Sequence, residues 1–348
     1  MGFFRLILAL MVVAVHSRHF LDSWPDIGIA AVAVFFFVSG FLMPLALLGN
    51  YTTNGTLSVN GCKRYLISRW MRIFPLYWVT LVVIVGYDGF HNWRLYSAAF
   101  EMPSIFLKNI LLLGLNQREL WGTSLRFNNP AWTLDVEFQY YLLVPLLLLA
   151  WAKNKNATVA GLIIFGLVGC FLIAFPVGVM GIDRSILPWG VCFFAGFIFF
   201  QITSKLECML WARRAFLLGA TIVALVIILN PDGYKTLMLT IGLMLMSGHL
   251  LVKQQRERSG MLDRVLGDLS YPVYISHIFI NECVYENIVH VYMYGSGFAK
   301  VFMLNAMFSL AAGVILLTLI VYPIDRYRKR LKVPHGVSVN LSPLGGGR

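Results

Sequence analysis

Long apolar stretches separated by short polar ones dominate this chain of 348 residues. Ten of them reach or approach the roughly 20 residues that an α-helix needs to cross a bilayer. They cover residues 4–21, 28–48, 66–86, 131–152, 157–177, 185–203, 213–229, 235–252, 267–286 and 299–322. The pattern therefore predicts an all-α, polytopic membrane protein with about ten transmembrane helices.

Two further segments complete the predicted organisation. Residues 105–116 are apolar but too short to span a bilayer and contain Lys108, so they are predicted to form a re-entrant or interfacial helix. Residues 1–332 are expected to form a single transmembrane domain, because no soluble module and no internal repeat interrupts the pattern. Residues 333–348 are predicted to be a flexible cytoplasmic tail.

Composition and charge support this class and orient it. Hydrophobic residues make up 59% of the chain and charged ones 13%, whereas a soluble domain is about half apolar and about a quarter charged. Of the 28 lysines and arginines, 20 fall on the side that holds both termini, so the positive-inside rule places both termini in the cytoplasm. This asymmetry accounts for the net charge of +12. Membrane lipids are therefore expected partners, and nucleic acid is not.

His16 lies within the first apolar stretch, where an ionisable side chain is expensive and indicates a functional role. Arg5 precedes it by eleven residues, which places both side chains on one helix face about 16 Å apart. An arginine that snorkels to the cytoplasmic surface and a histidine that binds a neighbouring carbonyl are the alternative interpretations.

Glu137 lies in the fourth predicted span, about 9 Å from its outer end, and His16 lies about 7 Å from the outer end of span one. A carboxylate bonded to one ring nitrogen would fix the tautomer and raise the basicity of the other nitrogen. The hypothesis is that Glu137 orients His16 as a base. The alternative is that Glu137 pairs with a lysine or arginine, and Asp135 projects to a different face.

Arg69 and Arg72 stand three residues apart at the cytoplasmic end of the third span. Guanidinium groups bind phosphate oxygens in a bidentate manner, so an anionic cytosolic ligand is predicted. The alternative is that they are membrane-boundary anchors. In the ninth span, Ser270, Tyr274 and His277 form a polar stripe, for which structural support is the favoured role and a reserve base at His277 the alternative. The cysteines show no metal-type spacing, and no metal is expected.

Five segments, taken in this order, resemble the membrane-bound acyltransferase 3 family, which includes the O-acetyltransferases of bacterial surface polysaccharides. They are F-R-L-I-L-A-L-M-V-V-A-V-H, F-F-F-V-S-G-F-L, R-W-M-R-I-F-P-L-Y, W-T-L-D-V-E-F-Q-Y-Y-L-L-V-P and L-S-Y-P-V-Y-I-S-H. The resemblance runs over residues 3–325.

The resemblance implies a multi-pass protein of the bacterial inner membrane. It implies a cytoplasmic acyl-CoA donor, acetyl-CoA, and an acceptor hydroxyl on a glycan or lipid-linked oligosaccharide at the outer side. It implies His16 as the catalytic histidine, Arg5 as its partner, Arg69 and Arg72 as the arginines that bind CoA, and Glu137 as the motif glutamate. Residues expected to contact substrate or support the site are Trp132, Tyr141, Ser270, Tyr274 and His277.

This sequence departs from the family pattern at two places. Ala31 and Ala33 stand where many members have a glycine and an acidic residue before the aromatic run. Some members also carry a C-terminal periplasmic esterase-like domain, and none is expected here. The chain is therefore expected to complete the transfer alone or with a partner such as a polysaccharide assembly complex or a second copy of itself.

The predicted function is that of an integral-membrane O-acyltransferase, most simply an O-acetyltransferase, that modifies a lipid-linked or surface polysaccharide. His16 would act as a general base or form an acyl-histidine, and the sequence leaves both open. The alternative is a secondary transporter or flippase for an anionic glycan or its precursor. In that case the arginines would steer the substrate and His16 would relay protons.

Overall fold

A computed structural model describes residues 1–17, 27–52, 57–91, 103–112, 114–115, 126–174, 185–203, 209–229, 235–256, 259–289 and 297–332. Within these ranges the regular structure is helical, and the predicted all-α class is confirmed. The helices are α1 (Gly2–His16), α2 (Ile27–Tyr51), α3 (Val59–His91), α4 (Pro103–Leu111), α5 (Ala131–Lys153), α6 (Lys155–Ala174), α7 (Ile186–Thr203), α8 (Met209–Leu229), α9 (Lys235–Arg256), α10 (Met261–Val284), α11 (Phe298–Leu316) and α12 (Tyr322–Arg330). Single π-helical turns, Tyr285–Val289 and Leu317–Val321, follow α10 and α11.

Each predicted span overlaps one of these helices. By length and hydropathy, six helices in the described ranges could each cross a membrane, namely those at Ile27–Tyr51, Val59–Tyr87, Ala131–Lys153, Ile186–Thr203, Lys235–Gln254 and Phe298–Arg330. Large apolar side chains such as Val82, Leu146 and Leu319 are exposed on them, as a lipid-facing surface requires. The count of ten spans and the orientation of the termini stay predictions, and the predicted tail at 333–348 lies outside the described residues.

The chain forms two compact units, one from residues 1–38 and 206–319 and the other from residues 39–205 and 320–348. We call them the histidine unit and the arginine unit, after the side chains described below. The predicted boundaries of a single domain at 1–332 stay a prediction.

In the histidine unit, α1 packs along α10, and α10 packs against α11. A side chain at Gly2 would overlap the carbonyl of Asp263, and one at Gly267 would press on the backbone of Gly2. The Asp263 carboxylate accepts hydrogen bonds from the amide of Phe3 at 3.0 Å and from the α-ammonium of Met1 at 2.9 Å. It thereby satisfies a free N–H at the start of α1. Burial raises the pKa of Asp263, but these hydrogen bonds outweigh it and hold that pKa at about 2.

In the arginine unit, α5 packs against α3, α6 and α7, and α12 packs against α3. Gly40 allows α2 to approach α7 closely, because a side chain there would overlap the carbonyl of Phe193. The Tyr140 hydroxyl donates to the Gly40 carbonyl at 3.0 Å, and its ring stacks on Phe193 at 4.3 Å.

The short segment predicted at 105–116 contains α4, which ends at Leu111. The chain then turns through Leu112 and Gly114, both with positive φ. The carboxylate of Asp135 accepts hydrogen bonds from the amides of Gly114 at 3.0 Å and Leu115 at 2.7 Å. Asp135 is therefore a structural residue that fixes this turn on α5. Entry of α4 into the membrane stays a prediction.

Candidate functional site

His16 is the last residue of α1 and is half-buried. Its Nδ1 lies 2.9 Å from the carbonyl oxygen of Val12, one turn earlier in the same helix. A carbonyl only accepts hydrogen bonds, so Nδ1 carries the proton in the neutral ring and Nε2 keeps the lone pair. Among the residues that the structure describes, no hydrogen-bond partner faces Nε2.

His277, on the neighbouring helix α10, reinforces this tautomer. Its own Nδ1 donates to the carbonyl of Tyr274 at 2.5 Å, which leaves its Nε2 as an acceptor. That Nε2 lies 3.4 Å from Nδ1 of His16, and the rings meet edge to face with centroids 4.9 Å apart. Two acceptors, the Val12 carbonyl and His277, thus hold the proton of His16 on Nδ1. The groups that fix this tautomer therefore lie within the histidine unit. They are the Val12 carbonyl and His277, whereas the hypothesis from the sequence gave this role to Glu137.

An amide network closes the end of α1. The Asn281 side chain donates to the carbonyl of His16, which has no partner within the helix because α1 ends there. Asn305, on α11, donates to Asn281 at 2.5 Å and to the hydroxyl of Ser17 at 3.0 Å. Sequence reasoning missed these asparagines. The signal was present, since Asn281 continues the Ser270–His277 stripe by one turn.

The remaining predicted residues of the histidine unit lie on the same two helices, α1 and α10. Arg5 is half-buried on α1, eleven residues before His16. Ser270 is buried, and its hydroxyl donates to the Gly267 carbonyl at 2.7 Å within its own helix. The ring of Tyr274 lies 5.7 Å from that of His277 and 6.1 Å from that of Phe35. These contacts support a structural role for the stripe.

The arginine unit places Arg69 and Arg72 together on α3. Arg69 is only 5% exposed. Its guanidinium lies 5.6 Å from the centroid of the Tyr65 ring, and one terminal nitrogen faces the Met43 sulfur at 3.5 Å. A thioether is a weak acceptor, and no partner for Nε occurs among the described residues. A buried cation so weakly compensated is costly without a ligand.

Three hydroxyl groups close to Arg69 in the fold are also buried donors without an acceptor among the described residues. Within the described ranges, the hydroxyls of Tyr51, Tyr65 and Ser68 are buried and have no hydrogen-bond partner. The rings of Tyr51 and Tyr65 meet edge to face at 5.8 Å. Arg328, on α12, donates from Nε to the backbone carbonyl of Ser68 at 3.1 Å. Sequence reasoning missed all four. For Tyr65 and Ser68 a signal was present, because they lie one helical turn before Arg69 and Arg72 on α3. Tyr51 and Arg328 come from other helices.

Glu137 belongs to the same unit. Its Oε1 accepts hydrogen bonds from the hydroxyls of Ser39 at 2.9 Å and Tyr141 at 2.6 Å. Arg72 and Arg69 act electrostatically on the buried Tyr141 phenol, as Glu137 does. Glu137 therefore lies in the electrostatic environment of the arginines. His16 belongs to the other unit, so the predicted pairing of Glu137 with His16 stays a prediction.

Trp132 is buried in the first turn of α5, with its ring 5.5 Å from that of Trp189. In the described part of the chain, no group of three His, Cys, Asp or Glu side chains could hold a metal ion.

A family model described as an acyltransferase domain matches residues 1–326 of the chain. The chain belongs to the acyltransferase 3 family. The resemblance seen in the sequence is therefore confirmed, and this acyltransferase is a membrane protein of a family whose enzymes transfer acyl groups.

Several relatives extend the comparison. The peptidoglycan O-acetyltransferase OatA of Listeria monocytogenes is 30% identical over 156 residues, which is 42% of this chain but only 24% of that protein. ORF330 of Acidianus two-tailed virus, whose name proposes an acetyltransferase, is 23% identical over 65% of this chain and 68% of its own length. An uncharacterised protein of Haemophilus influenzae is 30% identical over 36% of this chain and 52% of that protein. No solved structure matches the chain significantly.

Proposed function

We propose that this acyltransferase moves an acetyl group from cytoplasmic acetyl-CoA to a hydroxyl of a lipid-linked or surface polysaccharide, in the bacterial inner membrane. The observation that carries the proposal is the state of His16. Its Nδ1 proton is held by the Val12 carbonyl and His277, so the lone pair on Nε2 is available. A similar O-acetyltransferase, OatA, supports oxygen as the atom that receives the acyl group.

Two chemical routes use this lone pair. As a general base, Nε2 takes the proton of the acceptor hydroxyl while its oxygen attacks the thioester carbonyl. The new C–O bond forms, the C–S bond breaks, and the proton on Nε2 passes to the departing thiolate. In the covalent route, Nε2 attacks the thioester carbonyl, an N–C bond forms, and the C–S bond breaks to release CoA thiolate. The acceptor hydroxyl then attacks the acyl-histidine, the C–O bond forms as the N–C bond breaks, and the hydroxyl proton passes to the thiolate. Both routes need the tautomer that carries its proton on Nδ1.

The Arg69 and Arg72 pair is proposed to bind the phosphates of the donor. Arg69 is a buried guanidinium with an unpartnered Nε among the described residues. A phosphate oxygen supplies a strong, charged acceptor for that group. Glu137, which acts on the same tyrosines, is proposed to hold Tyr141 and to balance part of the arginine charge.

The His16→Ala variant tests the proposal directly. Polysaccharide from cells that carry this variant should lack the O-acetyl signals seen by NMR with the wild-type protein. His249→Ala is the matched control, because it removes another histidine of the histidine unit, on α9. Near-normal acetylation with His16→Ala, at equal protein levels in the membrane, would refute the role of His16.

Purified protein separates the enzyme from the alternative of a transporter or flippase. The acyltransferase should release CoA from labelled acetyl-CoA in the presence of lipid-linked glycan, and a transporter should release none. Measuring free thiol over time distinguishes them without knowledge of the acceptor hydroxyl.

A further inference from the structure

We infer that Arg328 is the third guanidinium of a phosphate-binding site completed by the hydroxyls of Tyr51 and Tyr65, together with Arg69 and Arg72. The site lies entirely within the arginine unit. The inference rests on the proposed function only for the source of the phosphate. Arg328 lies beyond the residues 1–326 that match the family, so its role is read from the structure alone.

Charge is the first argument. Arg72 and Arg69 are the strongest positive charges acting on Arg328, and the Tyr51 phenol lies within the same electrostatic range. Like charges this close repel one another, and the repulsion grows as water is excluded. Asp325 acts on Arg328, and Glu137 acts on Tyr65, whose ring lies beside Arg69. A bound anion would add negative charge beside these guanidiniums.

The orphaned donors are the second, independent argument. Tyr51 is 1% exposed, Tyr65 and Ser68 are 0% exposed, and their hydroxyls have no acceptor among the described residues. Buried polar groups are normally satisfied, and an unsatisfied one costs about 1–3 kcal/mol. Four such groups in one place, counting Nε of Arg69, are all able to donate. None of the four has an acceptor among the described residues, and a phosphate group offers several acceptor oxygens at once.

The framework holds these donors in place. Arg328 is anchored by its hydrogen bond to the Ser68 carbonyl and its contact with Asp325. Tyr51 ends α2, where Gly61 of α3 approaches its carbonyl so closely that a side chain would overlap it. The donors therefore come from three helices, α2, α3 and α12, whose positions are fixed by direct contacts. A preorganised site loses less conformational entropy when it binds a ligand.

Two sources offer this chemistry: the phosphates of CoA and the headgroup of an anionic phospholipid. Full-length protein in phosphatidylcholine nanodiscs should be titrated with CoA and, separately, with inorganic diphosphate. A parallel sample contains phosphatidylglycerol in the nanodisc and no soluble phosphate. The measurements are the dissociation constant and the apparent melting temperature.

The tyrosine variants are expected to raise the melting temperature and to lower the affinity for phosphate. Tyr65→Phe and Tyr51→Phe should raise the melting temperature of the ligand-free protein, because a buried unpaired hydroxyl is removed. The same variants, and Arg328→Gln, should weaken phosphate binding on the order of tenfold or more, because a hydrogen bond to a charged group is lost. A purely structural role for these residues would not combine greater stability with weaker binding.

Matched controls come from the same helices and residue types. Arg330→Gln removes an exposed arginine of α12 and should leave binding unchanged. Tyr140→Phe removes a hydroxyl that already donates to the Gly40 carbonyl, so it should lower the melting temperature without a tenfold loss of binding.

Each outcome decides something different. If CoA binds equally well to the wild type, Tyr65→Phe and Arg328→Gln, the third-guanidinium site is overturned while the proposed donor stands. If diphosphate or phosphatidylglycerol stabilises the wild type but not these variants, and CoA does not bind, the site stands and the donor assignment fails. If none of the three probes binds the wild type, both are overturned.

Discussion

His16 and His277 carry the same imidazole ring but differ in burial and in hydrogen bonding. His277 is buried, and both of its nitrogens are used, one on its own backbone and one on its neighbour. His16 uses only one nitrogen in the described part of the chain and is half-buried. Because reactivity needs a free lone pair, we propose His16 as the catalytic group and His277 as a positioning residue.

Replacing His277 should therefore affect the chemical step more than substrate binding. His277→Ala removes one acceptor for the Nδ1 proton of His16, so kcat should fall on the order of tenfold while KM for acetyl-CoA stays nearly unchanged. His277→Gln offers an amide oxygen as a replacement acceptor and should recover part of the loss. Steady-state kinetics on the purified protein check this. An equal change in KM with an unchanged kcat would contradict the positioning role.

Lys108 carries a different kind of buried charge. It is fully buried on α4, and its ammonium donates to the Leu115 carbonyl at 3.3 Å. Burial, followed by the positive charge of Arg126, lowers the pKa of Lys108 from 10.5 to about 8. The unfolded chain keeps the proton up to higher pH than the folded protein does.

This pKa difference predicts that stability rises with pH. Between about pH 8 and pH 10.5 the unfolded state binds one more proton than the folded state, so Lys108 adds up to about 1.4 kcal/mol of stability per pH unit. Below pH 8 both states are protonated and the contribution no longer changes. Melting temperatures of the wild type and Lys108→Met should be compared from pH 7 to 10. The wild type should rise relative to the variant above pH 8, and parallel curves would contradict the burial of a charged Lys108.

Helix contacts in both units depend on glycine where backbones meet. Gly40 brings α2 against the carbonyl of Phe193 on α7, and the Gly40 carbonyl in turn accepts from Tyr140 on α5. Gly49, also on α2, has nothing within 4 Å of the position a side chain would occupy. One helix thus contains a glycine required by packing and a glycine that packing does not require.

Alanine substitution should separate these two glycines. Gly40→Ala forces a methyl group into a backbone carbonyl and should destabilise the protein by about 1–3 kcal/mol. Gly49→Ala should be neutral or stabilising by up to about 1 kcal/mol, because alanine has the higher helix propensity. Thermal unfolding in one detergent compares the pair. Equal losses of stability would contradict the close contact at Gly40.

The membrane topology of the whole chain is predicted from its charge asymmetry, and the proposed entry of acyl-CoA from the cytoplasm depends on that topology. A fluorescent protein fused after residue 332 should be fluorescent in cells, because that side is predicted to be cytoplasmic. Alkaline phosphatase fused within residues 87–130, which connect the third and fourth predicted spans, should be active, because the alternation of spans from a cytoplasmic N-terminus predicts that this connection lies on the outer side. A silent fluorescent fusion together with an inactive phosphatase would reverse the orientation and remove the cytoplasmic entry of acyl-CoA.

The helices, several candidate residues and the family of this protein could be predicted from its sequence. Apolar length predicted helices at all ten places because a spanning helix must satisfy its backbone internally, so hydropathy alone marks it. His16, Arg69 and Arg72 stood out because ionisable groups are rare in such segments. The spacing of Arg5 and His16, and of Arg69 and Arg72, correctly predicted that each pair lies on one helix. The five ordered segments identified the family.

Tertiary packing decided which groups surround those residues. Tyr51, Tyr65 and Arg328 do not stand out in the sequence, and they form one donor cluster only where α2, α3 and α12 meet. His277 acquired its partner in the same way, through the crossing of α1 and α10. Contacts between distant segments depend on the three-dimensional arrangement of helices, whereas periodicity reports only on one helix at a time. The sequence by itself thus determined the class, the helices and the candidate chemistry, and the packing of helices determined the tautomer of His16 and the donors around Arg69.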